Sequence, residues 1–171
     1  MNILVCIKQV PDTTEIKIDP VKHTLIREGV PSIVNPFDAC ALEMAVRLKE
    51  KEGGKVIVIS MGPAQAKNAL KECLAVGADQ AFLVTDRAFG GSDTLATSYI
   101  LSRAIAAVEA KTGEKFDLIF CGKQAIDGDT AQVGPEIAEH MDLPHVTLAT
   151  AVEMADGKLH VTRDTDEGHD L

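Results

Sequence analysis

Short apolar runs separated by helical patterns set the rhythm of this chain. ILVCI within Met1–Ile7, KVIVIS at Lys55–Ser60, QAFLVT at Gln80–Thr85 and DLIFC at Asp117–Cys121 are continuous rather than alternating. Runs of that length predict strands buried on both faces, as in a parallel sheet. Between them the period becomes helical. Asn35-Pro36-Phe37-Asp38 reads as a helix start, with Asn35 as cap, Pro36 first in the helix and Asp38 reaching back as a capping-box acid. Phe37, Ala41, Met44, Ala45 and Leu48 then recur at helical spacing. Gly62-Pro63 opens a second helix with Ala66, Leu70, Cys73 and Leu74 on its apolar face, and Gly77 suits a left-handed end. A long third helix turns Leu95, Leu101, Ile105 and Val108 inward, and a fourth ends near Met141, before the break at Pro144.

Two stretches depart from this alternation. Thr13 to Ile26 reads as a polar hairpin or excursion, with a turn near Asp19-Pro20. Val146 to Met154 and Lys158 to Arg163 alternate about Asp156-Gly157, which predicts a hairpin. Asp164 to Leu171 is polar and is expected to trail off without a partner. The whole predicts one α/β domain over residues 1–171: a doubly wound, mostly parallel, Rossmann-like sheet with right-handed crossovers and an added C-terminal β-hairpin.

Composition narrows the function. A length of 171 residues suffices for one domain with its own core. Aromatics are 4% with no Trp, so Val, Ile, Leu and Ala must fill that core. A net charge of -9 argues against a nucleic-acid surface and against an anionic membrane. It leaves nucleotides open, because backbone N–H groups at helix starts hold phosphate without net positive charge. No run is long enough for membrane insertion, and the N-terminus lacks the basic region of a signal peptide. Cys6, Cys40, Cys73 and Cys121 have no C-x-x-C spacing and read as free thiols in a reducing, cytoplasmic setting.

Chemistry concentrates after the fourth strand. In an open parallel sheet, ligands lie outside the carboxyl ends of the strands, where strand order reverses. GKQAIDGDTAQVGP, residues 122–135, lies at such an end with three glycines, two aspartates, two amides and a threonine. Gly122, Gly128 and Gly134 suit close backbone approach or positive φ. Asp129 and Thr130 read as caps for the next helix, with Gln132 returning to the Asp129 amide, although Pro135 then implies an irregular first turn or a later start. Asp127 and Asp129 equally suit mere capping and solvation. Asp127-Gly128-Asp129 has no third metal ligand nearby, and the five histidines show no metal spacing. Gly90-Gly91-Ser92-Asp93-Thr94 echoes the pyrophosphate loop of ATP-cleaving synthetases but has Phe89 in place of the leading Ser; a helix start capped by Ser92 or Asp93 is the plainer reading. G-x-G-x-x-G is absent. Three functional classes stay open on the residues alone: a cofactor-binding subunit, a stress-type adenine-nucleotide module and an ATP-pyrophosphatase-like enzyme.

GKQAID at Gly122–Asp127, NPF at Asn35–Phe37 and GPAQ at Gly62–Gln65 together closely resemble the β (small) subunit of electron-transfer flavoproteins. ILVCIKQVPDTT, LEMAVRLKEK and AVGAD match as well, and the likeness covers essentially the whole chain. The resemblance implies an adenine-nucleotide-binding electron carrier, paired with an α subunit that carries FAD, with no catalytic residue of its own. It places the nucleotide against Cys6, Asn35, Pro36, Phe37, Asp38 and Met61. The fourth loop adds Lys123, Gln124, Ala125, Ile126, Asp127, Gly128, Asp129, Thr130, Ala131, Gln132, Val133 and Gly134. In one-flavin members the β subunit holds structural AMP and the matching loop is crowded with acids. Gly128, Thr130 and Pro135 resemble instead the electron-bifurcating branch, which implies FAD here. That branch implies NADH as donor, and ferredoxin and an acyl-CoA dehydrogenase as acceptors. Asp86–Gly91 and Asp93–Ser98 resemble that branch too. Family members continue beyond the position of Leu171 into a segment that wraps the α subunit, which is expected to be absent here.

Overall fold

The first buried run forms the centre of a parallel sheet. A computed structural model describes residues 1–12, 17–18, 25–26 and 31–170. Strand β1 (Asn2–Cys6) is followed by β2 (Gln9–Pro11), β3 (Lys17–Ile18), β4 (Leu25–Ile26) and β5 (Ser32–Val34). β2 pairs antiparallel with β5, and β3 with β4. The expected hairpin over Thr13 to Ile26 is thus present in its paired strands, while its turn near Asp19-Pro20 lies outside the described residues. Helix α1 (Pro36–Glu52), β6 (Lys55–Met61), α2 (Lys67–Ala75), β7 (Gln80–Val84), α3 (Thr94–Thr112), β8 (Leu118–Cys121) and α4 (Val133–His140) complete the α/β unit. β9 (Ala149–Ala155), β10 (Lys158–Thr165) and β11 (Gly168–Asp170) follow.

The main sheet has the order β7-β6-β1-β8, and every pair in it is parallel. Side chains alternate across β1, so each face of the sheet has its own core. Ile3, Val5 and Ile7 pack with Val56 and Val58 against Leu42, Ala45, Val46 and Leu48 of α1 and Leu70 and Cys73 of α2. Leu4, Cys6, Ile57 and Ile59 pack against Leu101, Ile105 and Val108 of α3 and Ile137 of α4. Helices on both faces bear out the doubly wound α/β expectation. They also explain why β1 and β6 read as unbroken apolar runs.

Three local expectations are corrected. Leu95 and Leu74 are 59% and 41% exposed rather than inward. On α3 the buried stripe includes Ser98 and Ser102, whose hydroxyls donate to the carbonyls of Leu95 at 2.9 Å and Tyr99 at 2.7 Å. Satisfied within the helix, they serve as small core residues that apolar periodicity does not count. On α1 the buried stripe likewise includes Leu42 and Val46. Gly77 has φ 128°, positive but more extended than left-handed helix, and a Cβ there would lie 3.0 Å from Val46. The C-terminal tail is not free: Arg163–Thr165 pairs with Gly168–Asp170, which extends the hairpin to three strands. The turn at Asp156-Gly157 is as expected, with φ of 52° and 71° joining Ala155 to Lys158.

Candidate functional site

Strand order reverses at β1. The chain passes from β1 outward to β6 and β7, then returns past β1 to β8, which opens a crevice at the carboxyl ends of β1 and β8. Cys6 and Cys121 end these strands as register partners. Lys8 and Gly122 continue from them, and the start of α1 closes over both.

Asn35 and Asp38 build the wall of this crevice. Asn35 is fully buried; its backbone N–H donates to the Lys8 carbonyl at 2.9 Å. Its Nδ2 donates to the Gln124 carbonyl at 2.8 Å, and its Oδ1 accepts from the Ile126 N–H at 3.2 Å. The expected capping role is therefore corrected: no side-chain cap bond forms at α1, because Asn35 spends its amide holding the fourth loop. Asp38 is not a capping-box acid either. Its carboxylate accepts from the Lys8 N–H at 2.7 Å and is also hydrogen-bonded by the Asn35 side chain and the Gly122 N–H. Burial pushes this carboxyl up to about 6, against the lowering effect of those three hydrogen bonds. Gly122 has no room for a side chain, since a Cβ would come within 2.7 Å of the Asp38 nitrogen and the Phe37 carbonyl carbon.

The loop turns over on itself beyond Gln124. Gly128 and Asp129 donate to the Ala125 carbonyl at 3.2 and 2.9 Å. Asp129 takes φ 51° and Ala131 φ 53°, so positive φ falls on these two residues and not on Gly122, Gly128 or Gly134. The Asp129 carboxylate accepts from Gln124 Nε2 at 2.8 Å rather than capping a helix. Thr130 and Gln132 make no cap either: α4 starts later, at Val133, with Gln132 at its N-cap position and no side-chain bond there. Pro135 then lies in the first turn, where its missing N–H costs nothing. Among the described residues, the N–H groups of Thr130, Ala131, Gln132, Val133 and Gly134 have no protein acceptor. Gly134 packs against Cys121, with a Cβ position 3.2 Å from the Cys121 Cβ. Gly128 faces open space, with nothing within 4 Å of an added Cβ.

Other expected residues lie on the rim. Lys123 and Pro36 are exposed, while Phe37, Met61 and Ala125 are half-buried. Met61 packs at the edge of the α3/α4 core. Lys8 follows β1, and its ammonium pairs with Asp127 at 2.6 Å across the crevice mouth. No local motif announces that pair. The Gly90–Thr94 stretch makes a helix cap: Asp93 accepts from the Ala96 N–H at 2.8 Å, and the Ser92 hydroxyl donates to the Phe89 carbonyl. Thr94 then donates to Glu136 at 3.1 Å and ties α3 to α4. Among the described residues no cluster of three or more His, Cys, Asp or Glu could hold a metal ion, and no helix is long and apolar enough to cross a membrane. A groove of about 310 Å³ between α1 and α2, lined by Leu42 and Val76 with Glu43 and Glu72, lies away from the crevice.

The arrangement is a polar, N–H-rich crevice at a strand-order reversal. The Electron transfer flavoprotein domain family matches residues 22–171, and the chain belongs to that family. It is 60% identical over 171 residues to electron transfer flavoprotein subunit beta of Thermoanaerobacterium thermosaccharolyticum, covering all of this chain and 64% of the relative. It is 54% identical over 172 residues to subunit CarD of the caffeyl-CoA reductase-Etf complex of Acetobacterium woodii, again covering all of this chain and 64% of the relative. Protein FixA of Azotobacter vinelandii is 52% identical over 174 residues, with 61% of its length covered. The chain thus spans somewhat less than two thirds of these relatives.

Proposed function

We propose that this chain is the nucleotide-binding β subunit of an electron-transfer flavoprotein and that the crevice holds the adenine nucleotide part of an FAD. The observation that carries this reading is the run of N–H groups from Thr130 to Gly134 that are unpaired among the described residues, beside an open Gly128, at the point where strand order reverses. In a chain of net charge -9, such N–H groups are the means of holding phosphate. Asn35 and Asp38 fix the loop that presents them, and Lys8 adds one cation at the mouth. Cys6, Phe37 and Met61 offer the less polar surface suited to the adenine. The open space at Gly128 leaves room for a second phosphate, which favours FAD over AMP.

When bound, FAD supplies one- and two-electron redox chemistry. The residues of this chain bind it, orient it and limit water around it. The proposed partners are an α subunit with its own FAD, NADH as donor, and ferredoxin and an acyl-CoA dehydrogenase as acceptors. Similarity to a subunit of a caffeyl-CoA reductase-Etf complex supports an acyl-CoA oxidoreductase among them. A cytoplasmic setting fits the free thiols. Calorimetric titration of FAD and of AMP into the subunit tests the reading. Mutually exclusive binding at one site is expected, tighter for FAD; absence of binding by either would overturn it.

A further inference from the structure

We propose that Cys6 and Cys121 form a redox-active dithiol that a hydroperoxide oxidises to an internal disulfide at the floor of the crevice. The two residues are direct register partners on neighbouring parallel strands. Strand spacing there is about 4.8 Å, inside the roughly 4.4–6.8 Å Cα separation that a disulfide spans. Both side chains lie on the α3/α4 face of the sheet, where Cys6 is in the core and Cys121 packs against it. Cys121 acts directly on the Cys6 thiol and raises it. The remaining cysteines have no such neighbour role: Cys40 is exposed on α1 and Cys73 is buried under α2, where burial pushes its thiol up to about 11.

Exposure divides the roles. Cys121 is half-buried, whereas Cys6 is buried and its thiol is held well above the ordinary range by the neighbouring Cys121 and by burial. Cys121 is therefore the attacking sulfur. Its thiolate displaces hydroxide from the peroxide O–O bond and becomes a sulfenic acid, with the first water formed once protons are returned. The Cys6 sulfur then attacks the Cys121 sulfur, loses its proton and releases the sulfenic oxygen as a second water. Two thiols lose two electrons and two protons, and one hydrogen peroxide becomes two waters. Gly134 at the start of α4 packs directly on Cys121, so an occupant of the crevice shields the attacking thiol. This shielding rests on the nucleotide-binding reading, whereas the dithiol itself does not.

The test uses the subunit with Cys40→Ser and Cys73→Ser, treated with hydrogen peroxide and mapped with trypsin without reduction. Cleavage at Lys8, Lys115 and Lys123 isolates Cys6 and Cys121 on separate peptides, 1–8 and 116–123. The expected product joins these peptides with loss of two hydrogens and reverts with dithiothreitol. Cys121 sulfinic acid without a cross-link, or two unmodified thiols, would overturn the dithiol; adding Cys6→Ser should convert the product to oxidised, uncross-linked Cys121. Saturating AMP, with binding verified by calorimetry on the reduced protein, should slow cross-linking at least several-fold. Equal rates in verified saturation would overturn the shielding while leaving the dithiol standing. Failure of AMP and FAD to bind the reduced protein would instead count against the nucleotide reading.

Discussion

Asn35 Nδ2 donates to the Gln124 carbonyl across 89 residues of sequence at 2.8 Å, from a side chain with no exposed surface. The same amide accepts from Ile126, so one side chain fixes both ends of the first turn of the loop. Asn35→Ala leaves a half-buried carbonyl and a half-buried N–H unmatched, at a cost of about 1–3 kcal/mol in total. Urea unfolding should show that loss, and nucleotide affinity should fall at least tenfold. Unchanged stability would mean that the loop holds its shape without Asn35.

The three loop glycines have different reasons to be glycine, and alanine scanning should separate them. Gly122→Ala drives a Cβ into the backbone of Phe37 and Asp38 and should cost about 3 kcal/mol or more. Gly134→Ala meets the Cys121 Cβ at 3.2 Å and should cost less. Gly128→Ala meets nothing and should stay within roughly 0.5 kcal/mol of the parent. Denaturation midpoints of the three variants check the order.

Asp38 should make stability depend on pH. Its carboxyl titrates at about 6 in the folded chain, against 3.8 for the free group. Between those values the folded chain holds a proton that the unfolded chain has lost. Stability from this group is therefore greatest below the lower value, falls as pH rises to about 6, and is level above it. Asp38→Asn removes the effect. From about pH 4 to pH 7 the parent should lose about 2 kcal/mol relative to the variant. Parallel unfolding profiles for the two proteins across that range would contradict the assignment.

Gly128→Asp should distinguish the two nucleotides. Its side chain enters open space, so the fold should be unaffected. A carboxylate there occupies the room assigned to the second phosphate and repels it. FAD binding should weaken about tenfold or more while AMP binding changes little. Equal loss of both would remove Gly128 from the case for FAD.

The fold was legible because its signals are local. Short, β-branched apolar runs such as KVIVIS after Gly53-Gly54 point to strands buried on both sides, and Asp156-Gly157 encodes its own turn. The misread positions depend on contacts distant in sequence. Asn35 before Pro36 looks like a cap, and no local pattern says that Gln124 claims its amide. Asp129 looks like a cap three residues before Gln132, yet Gln124 holds its carboxylate and the residue takes φ 51°. Ser98 and Ser102 look polar until their hydroxyls are paired within the helix. The crevice at the β8 end, proposed above as the site, was readable as a place, because strand order and loop composition point there; the hydrogen bonds inside it were not.

The most direct test of the central claim is the nucleotide content of the subunit purified together with the proposed α partner. Acid release followed by chromatographic quantitation of FAD and AMP gives the count per heterodimer. Two FAD and no AMP is the predicted result. One FAD with one AMP would contradict the claim that the crevice beside Gly128 is an FAD site.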